Sequence, residues 1–305
     1  MPGEALACPN CANRDNDRNA QSPDRIAQNR LALGAVDLTG AGFYLAAINR
    51  EFVMSHAFEV ATSLLASVAE QGRGIQITSA SRQPAEMLEL YDMEGCPFCR
   101  VVREALTDLD IDVMMYPCPK NGVRFRPLVE RLGGKQQFPF LFDPNTDQTL
   151  YESADIVEYL YAQYGNRPAP QRWRVKGIRT PASFAASALR RGRGVQAATS
   201  SRDADEPLEL FSFEASPFAR LVRERLTELE LPHIVRQVGR DNAADWLLPP
   251  VREKLMPDYQ PTQRNRHILQ QRAGRVAVPY LIDPNTGAEL FESKAILEYL
   301  DRTYA

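Results

Sequence analysis

With 305 residues the chain can bury one large core or two ordinary ones. An apolar fraction of 44% and a charged fraction of 25% are those of a soluble globular protein, and a formal net charge of −3 argues against a whole-surface nucleic-acid binder. Five cysteines, an odd count with two Cys-x-x-Cys pairs, do not make a secreted disulfide framework; no basic-then-apolar leader opens the sequence, so a cytoplasmic protein is expected.

Residues 1–30 are rich in Asn, Asp, Arg and Gln and are expected to form a poorly ordered tail. Cys8-Pro9-Asn10-Cys11 lies there; it fits a second redox pair or a metal site, but no strand or helix pattern supports it. Residues 31–80 read as a helical extension. Leu31 to Ile48 is mildly apolar, yet Asp37 and three glycines argue against a membrane span. Phe43, Ala47, Phe52, Phe58, Ala61, Leu65 and Val68 can line one or two helices, which Gly72 and Gly74 end.

Leu88 and Leu90 alternate as in a strand. Val101, Val102, Ala105, Leu106 and Leu109 then fall on one helical face. Between them stands Cys96-Pro97-Phe98-Cys99, with Cys96 at the helix start. Unpaired backbone N–H groups there stabilise a thiolate and lower the pKa of Cys96, whereas Cys99 lies one turn further in and gains less. Pro97 suits the first helical turn, where no N–H is needed. The competing reading is half a zinc site, but zinc needs four ligands. Cys8, Cys11, Cys118, His56, His233 and His267 include no pair at ligand spacing beside Cys96, so a redox pair is favoured and no metal is expected.

A repeat decides the architecture. Residues 88–111 and 208–231 match at 13 of 24 positions without a gap. Asp143-Pro144-Asn145-Thr146 recurs as Asp283-Pro284-Asn285-Thr286, and Glu152-Ser153 as Glu292-Ser293. Gly72-Arg73-Gly74 returns as Gly192-Arg193-Gly194. Each copy reads β-α-β-α-β-β-α, with the first two strands parallel through a right-handed crossover. The expectation is an α/β protein of two tandem units with mixed four-stranded sheets, at 86–165 and 207–305. A basic linker at 166–206 joins them, with a short helix opened by Thr180 and Pro181. The second copy carries an insertion around 241–261, with Trp246 and several prolines, that reads as a docking or packing loop. Cys118 follows the strand Ile111 to Tyr116 and should reach the same sheet edge as Cys96. It is either a small apolar residue in a turn or an accessory thiol.

At these residues a family can be recognised. Glu94 to Arg100, Pro117-Cys118-Pro119-Lys120, Gly133-Gly134-Lys135, Phe138-Pro139-Phe140, Asp143 to Thr146 and Glu152-Ser153 carry the resemblance. Each copy resembles the thioredoxin-like domain shared by glutaredoxins and the N-terminal half of glutathione S-transferases. The tandem looks like the double-domain proteins of plants, cyanobacteria and other bacteria. The resemblance covers about 88–165 and 208–305. It implies cis peptide bonds before Pro139 and Pro279, which would expose the backbone of Phe138 and Val278 to a substrate. It also implies that Glu152 and Ser153 hold the γ-glutamyl end of glutathione. A helix start favours a carboxylate, and Glu152 can take the ammonium, although a plain N-cap would also explain the serine. Lys120, Arg124 and Arg126 are candidates to grip the glycyl carboxylate. The second-copy equivalents are Ser216, Val278, Pro279, Glu292 and Ser293.

Two departures stand out. No lysine precedes the Cys96 motif; Glu94 is there instead, with Glu214 in the second copy, and a nearby carboxylate should raise the thiol pKa. The second motif, Ser216-Pro217-Phe218-Ala219, has no thiol. Ser216 resembles the hydroxyl of serine-type transferases, but those carry an all-helical domain for the electrophile, and here only residues 31–70 stand as a substitute. The leading expectation is a glutathione-linked thiol–disulfide oxidoreductase of glutaredoxin type, with Cys96 as nucleophile, Cys99 as resolving thiol and glutathione as cosubstrate. A protein disulfide is a further partner; nucleic acid and a membrane span are not expected. The alternatives are a glutathione transferase or isomerase using Cys96 or Ser216, and a non-enzymatic binding scaffold.

Overall fold

The computed structural model describes residues 55–69, 73–78, 81–170, 190, 192–247 and 249–305. The polar tail with Cys8 and Cys11, the segment 31–54 and the linker helix at Thr180 and Pro181 lie outside the described residues. After helix α1, Ser55–Ala69, the first copy runs β1 Leu88–Asp92, α2 Pro97–Asp108, β2 Val113–Pro117, α3 Arg126–Gly133, β3 Phe140–Asp143, β4 Gln148–Tyr151 and α4 Ser153–Gln163. The second repeats that order: β5 Leu208–Ser212, α5 Pro217–Glu228, β6 His233–Gln237, α6 Pro249–Leu255, α7 Arg264–Ala273, β7 Tyr280–Asp283, β8 Ala288–Phe291 and α8 Ser293–Tyr304, with α6 inserted.

The local reasons are those visible in the sequence. Leu88 and Leu90 pack with Val102, Ala105 and Leu106 of α2 and Ile156 and Leu160 of α4 on one face of the sheet. Tyr91 and Phe140 pack with Val129 of α3 in a separate cluster. Helices α3 and α7 both end at a left-handed glycine, Gly134 and Gly274, where a side chain would be strained. In each copy the first two strands are parallel and the hairpin that follows is antiparallel, as expected.

The two sheets are one. Among the described residues the strand order is β4-β3-β1-β2-β6-β5-β7-β8. Strands β2 and β6 pair antiparallel, with Val113 opposite Val235, Met114 opposite Ile234 and Met115 opposite His233. Val113 and His233 are equivalent in the repeat, as are Met114 and Ile234, so the register is centred on a point relating one copy to the other. A lone copy would leave β2 as an edge with a row of unpaired backbone groups, and this pairing removes both edges together.

The segments leading into each copy cross this seam. Residues 73–78 are not helical: they turn at Arg73 and Gly74 and then make one isolated strand bridge, with Ala215 N–H donating to Gly74 O at 3.1 Å and Gln76 bridging Arg240. Reciprocally, Gly95 N–H donates to Gly194 O at 3.1 Å, and Lys120 bridges Gln196. Gly194 sits at φ +66, and a Cβ there would also press on Glu94.

The repeated Asp-Pro-Asn-Thr turn is a clasp. The Asp143 carboxylate accepts hydrogen bonds from Tyr159 (2.7 Å), from Tyr164, and from the backbone and side-chain N–H groups of Asn145 (both 2.8 Å). Asn145 also holds Glu86 on the approach to β1. Asp283 is held identically by Tyr299, Tyr304 and Asn285. Burial alone would raise the Asp143 pKa, but these donors outweigh it and hold it below the ordinary value, so the clasp weakens as pH falls through the acid range. Asp143→Ala is expected to cost about 3 kcal/mol in a denaturant titration, because it strands the buried Tyr164 hydroxyl and removes the acceptor shared by Asn145 and the partly buried Tyr159. A change under half that would show the turn to be incidental.

The insertion packs on its own copy. Asp245 is buried against Arg266 (2.9 Å) and Tyr259 (2.6 Å), and the Arg240 guanidinium lies 4.5 Å over the Trp246 ring. Beyond it Gln263 and Asn265 reach Asp110 and Asp112 of the first copy, each at 2.7 Å.

Candidate functional site

Cys96 is the N-cap residue of α2, in extended conformation, with Pro97 opening the helix and no side chain closing the cap. It is half-buried, while Cys99 one turn on is fully buried. Their thiols separate accordingly. A hydrogen bond from the Cys99 side chain is the largest influence on Cys96. Burial opposes it, the N–H groups of Cys99 and Phe98 add to it, and Cys96 falls to about 7. Burial, then the same hydrogen bond, push Cys99 well above the ordinary thiol value. Cys96 should therefore be half-ionised near pH 7. Its iodoacetamide labelling, read by peptide mass spectrometry, should rise through a midpoint at about that pH; a midpoint above pH 8.5 would contradict this arrangement.

The expected opposition from Glu94 does not arise as the sequence implied. Glu94 is turned into the seam between the copies. Its carboxylate accepts from Nε and Nη2 of Arg223, one to each oxygen at 3.0 Å, and lies 3.2 Å from Arg103. The carboxylate that pushes Cys96 upward is Asp92, at the end of β1, itself buried and paired with Arg103. Burial first, and Glu94 among its neighbours, raise Asp92 to about 6 despite that pairing.

At the start of α4 the N-cap position belongs to Glu152, at φ +64, and no side chain caps the helix. A plain serine cap is therefore not what Ser153 provides. Glu292 repeats the conformation at φ +67. Holding a non-glycine residue there costs about 1–3 kcal/mol, so both copies retain the same strained approach to a helix start. The Phe138–Pro139 and Val278–Pro279 peptide bonds are both cis, as the resemblance implied. Gln137, two residues before Pro139, donates its amide to the Glu152 carboxylate. In the sequence only the contrast with Ala277, its counterpart in the second copy, marks this glutamine.

Arg126 is braced beside Pro139. Its guanidinium lies 4.7 Å over the Phe138 ring and donates to Cys118 O at 3.1 Å and Gln136 at 3.2 Å. Lys120 pairs through its backbone with Val195 and Ala197 and leaves its side chain exposed. Arg124 is committed elsewhere, to Leu229 O (2.8 Å), Ser201 O (2.9 Å) and Asp203 (2.6 Å), and ties the copies together. Cys118 is buried with Tyr91, Val129 and Phe140, its sulfur 3.5 Å from Tyr116 O, and burial drives its thiol up. Among the described residues no three His, Cys, Asp or Glu side chains gather as metal ligands. In the second copy the Ser216 hydroxyl accepts the Ala219 N–H at 3.3 Å as a helix cap, and Ser293 Oγ lies 3.5 Å from His56 Nε2.

No helix among the described residues is long and apolar enough to cross a membrane. The family model described as "Glutathione S-transferase, N-terminal domain" matches residues 90–168 and again 210–305. No curated protein matches the chain. Among solved structures the chain is similar to Leishmania TDR1, titled a unique trimeric glutathione transferase. The identity is 14% and the TM-score 0.24, over 72% of this chain and 68% of that one.

Proposed function

The chain belongs to the family of glutathione S-transferase N-terminal domains, twice over, and from that premise we propose that its first copy is a glutathione-linked thiol–disulfide oxidoreductase of glutaredoxin type. The observation that carries the reading is the split between the two thiols: Cys96 lowered to about 7 and half-buried at a helix start, Cys99 raised and buried behind it. A low-pKa thiolate attacks; a buried thiol waits to resolve.

The Cys96 thiolate attacks the glutathione sulfur of a mixed disulfide R–S–S–G. The S–S bond of the mixed disulfide breaks, R–S leaves as a thiolate and takes a proton, and Cys96 is left joined to glutathione through a new S–S bond. A second glutathione thiolate then attacks that bond, releasing oxidised glutathione and restoring the Cys96 thiolate. Alternatively Cys99 loses its proton and attacks, releasing reduced glutathione and leaving a Cys96–Cys99 disulfide that two glutathiones reduce. Glu152 and Ser153 take the γ-glutamyl end, Phe138 and Pro139 the peptide backbone, and Lys120 and Arg126 the glycyl carboxylate. Phe98, 45% exposed beside Cys96, offers an apolar contact to a protein disulfide. Glutathione as reductant fits a cytoplasmic setting.

Reduced protein mixed with oxidised glutathione should gain one glutathionyl group, on the peptide carrying Cys96. Formation of neither that adduct nor the Cys96–Cys99 disulfide that Cys99 makes from it would leave the chain as a binding scaffold. A serine-type transferase is disfavoured, because the Ser216 hydroxyl serves as a cap and its side chain is buried. Ser216→Ala should leave disulfide reduction within about threefold of wild type, since loss of a cap costs only about 1 kcal/mol, away from the reacting sulfur. A near-complete loss in that assay would move the active site to the second copy.

A further inference from the structure

Helix α1 is turned the wrong way for an ordinary surface helix. Its sequence, Ser55 to Ala69, places Ser63, Ala66 and Ser67 inward, all buried. Leu65 and Val68 face outward, 55% and 66% exposed, with Phe58 and Leu64 also exposed. An amphipathic helix laid on a hydrophobic core would present the opposite faces. The inner face meets backbone carbonyls instead. Ser67 Oγ donates to Ala215 O at 2.9 Å, and Ser63 Oγ donates to Pro217 O at 2.8 Å, one on each side of Ser216. Arg220 donates to Ser63 O at 3.1 Å, and His56 meets Ser293. Arg190 clamps the helix, holding Glu59 at 2.6 Å and Glu224 of α5 at 2.7 Å.

Ala215, Pro217 and Ser293 are the repeat equivalents of Gly95, Pro97 and Ser153. In the first copy those positions bracket the proposed glutathione site, where Cys96 and Ser153 are partly exposed. In the second copy Ser216 and Ser293 are 2% and 3% exposed. We propose that α1 is the resident ligand of the second copy's glutathione-type site, excludes glutathione from it, and so limits each chain to one glutathione. The inference rests on the first copy being read as a glutathione site. It gives the second copy a binding task that needs no thiol: recognition of a helix carrying two serines one turn apart.

Two measurements on the full chain test it. Titration calorimetry with S-hexylglutathione, which has no free thiol, should give one equivalent per chain, lost in Glu152→Lys and kept in Glu292→Lys. Two equivalents, or one that survives Glu152→Lys and disappears in Glu292→Lys, would overturn the proposal. No binding at all would overturn the reading of the first copy, and the second measurement then stands alone. In a Cys96→Ser, Cys99→Ser background, Ser216→Cys introduces a thiol under α1, and its maleimide labelling is followed on its own peptide. Adding Ser67→Asp should speed labelling at least about tenfold, because a buried carbonyl contact worth a factor of that size is replaced by repulsion. Should Ser67→Asp fail to fold, the paired Ser63→Ala and Ser67→Ala changes should still speed labelling several-fold. Labelling as fast with the helix contacts intact as without them would show that α1 does not close the site.

Discussion

Cys96→Ser is expected to abolish reduction of a glutathione mixed disulfide, with a loss of at least about a thousandfold in kcat/KM. An alcohol at this position cannot form the S–S bond through which the reaction passes. No other described thiol can replace it: Cys99 and Cys118 are both fully buried and both raised by that burial. Cys99→Ser should behave differently, keeping activity within several-fold because glutathione itself can resolve the adduct. It should, however, lose the intramolecular disulfide, seen as persistence of the glutathionyl adduct on Cys96. It should also move the Cys96 labelling midpoint, because the Cys99 side-chain hydrogen bond is the largest influence lowering that thiol. A serine donates to a thiolate as well, so the shift should be small; Cys99→Ala should raise the midpoint clearly. Full activity in Cys96→Ser would end the oxidoreductase reading.

Arg223→Ala should destabilise the fold by roughly 3–5 kcal/mol, the cost of leaving buried charge without its partner. The guanidinium donates to both oxygens of Glu94 at 3.0 Å, to Ser212 Oγ and Glu214 O at 2.8 Å each, and lies 3.2 Å from Glu214. Arg103 makes the reciprocal set, to Glu214 at 2.9 Å and to Glu94 O at 3.0 Å. With Arg223 gone, Glu94 must share Arg103 with Asp92 and Glu214, and Glu214 keeps only Arg103 and Arg100, the latter at 3.5 Å. The exposed pair Arg225–Asp301, at 2.6 Å, is the control: Arg225→Ala should change stability by no more than about 1 kcal/mol.

The acid limb of stability should move as well. Burial would raise Glu214, but Arg103, Arg223 and Arg100 overcome it and hold its pKa at about 2. A depressed carboxylate contributes fully above its unfolded pKa, and the contribution drains away as pH falls toward 2. Asp92, raised to about 6, has the opposite sign and favours the folded state as pH falls from 6 toward its unfolded value. Arg223→Ala weakens the hold on Glu214, so acid unfolding should begin at higher pH than in wild type. An unchanged acid midpoint together with a small loss in denaturant would mean that the cluster is not a unit.

The sequence carried everything that repeats locally. Strand alternation at Leu88 and Leu90, the helical face from Val101 to Leu109 and the recurring Asp-Pro-Asn-Thr turn placed the repeated elements of each copy to within a few residues, whereas helix α6 in the insertion read only as a loop. Cys96 at a helix start needed only the change of period across the motif. What stayed hidden were mostly contacts between residues more than a hundred positions apart. Glu94 read as a local influence on Cys96, because nothing nearby announces Arg223 as its partner. The two edges at β2 and β6 read as the margins of separate sheets for the same reason. Gln137 was passed over because a glutamine in a turn has many uses, and only its hydrogen bond to Glu152 singles it out. The apolar stripe of α1 was legible, but not that it faces outward.

Pairing β2 with β6 about equivalent positions is the geometry of a two-fold dimer written into one chain. In a true dimer each side chain near the axis meets its own copy, and every substitution arrives twice. Here the two sides have drifted apart: Asp92 stands where the other half has Ser212, Cys96 where it has Ser216, and Gln137 where it has Ala277. One half keeps two thiols, Cys96 and Cys99, where the other has Ser216 and Ala219. The covalent link also fixes the effective concentration of the halves for each other, so their union does not depend on how much protein is present. Dilution that would part a dimer of the same interface leaves this one closed.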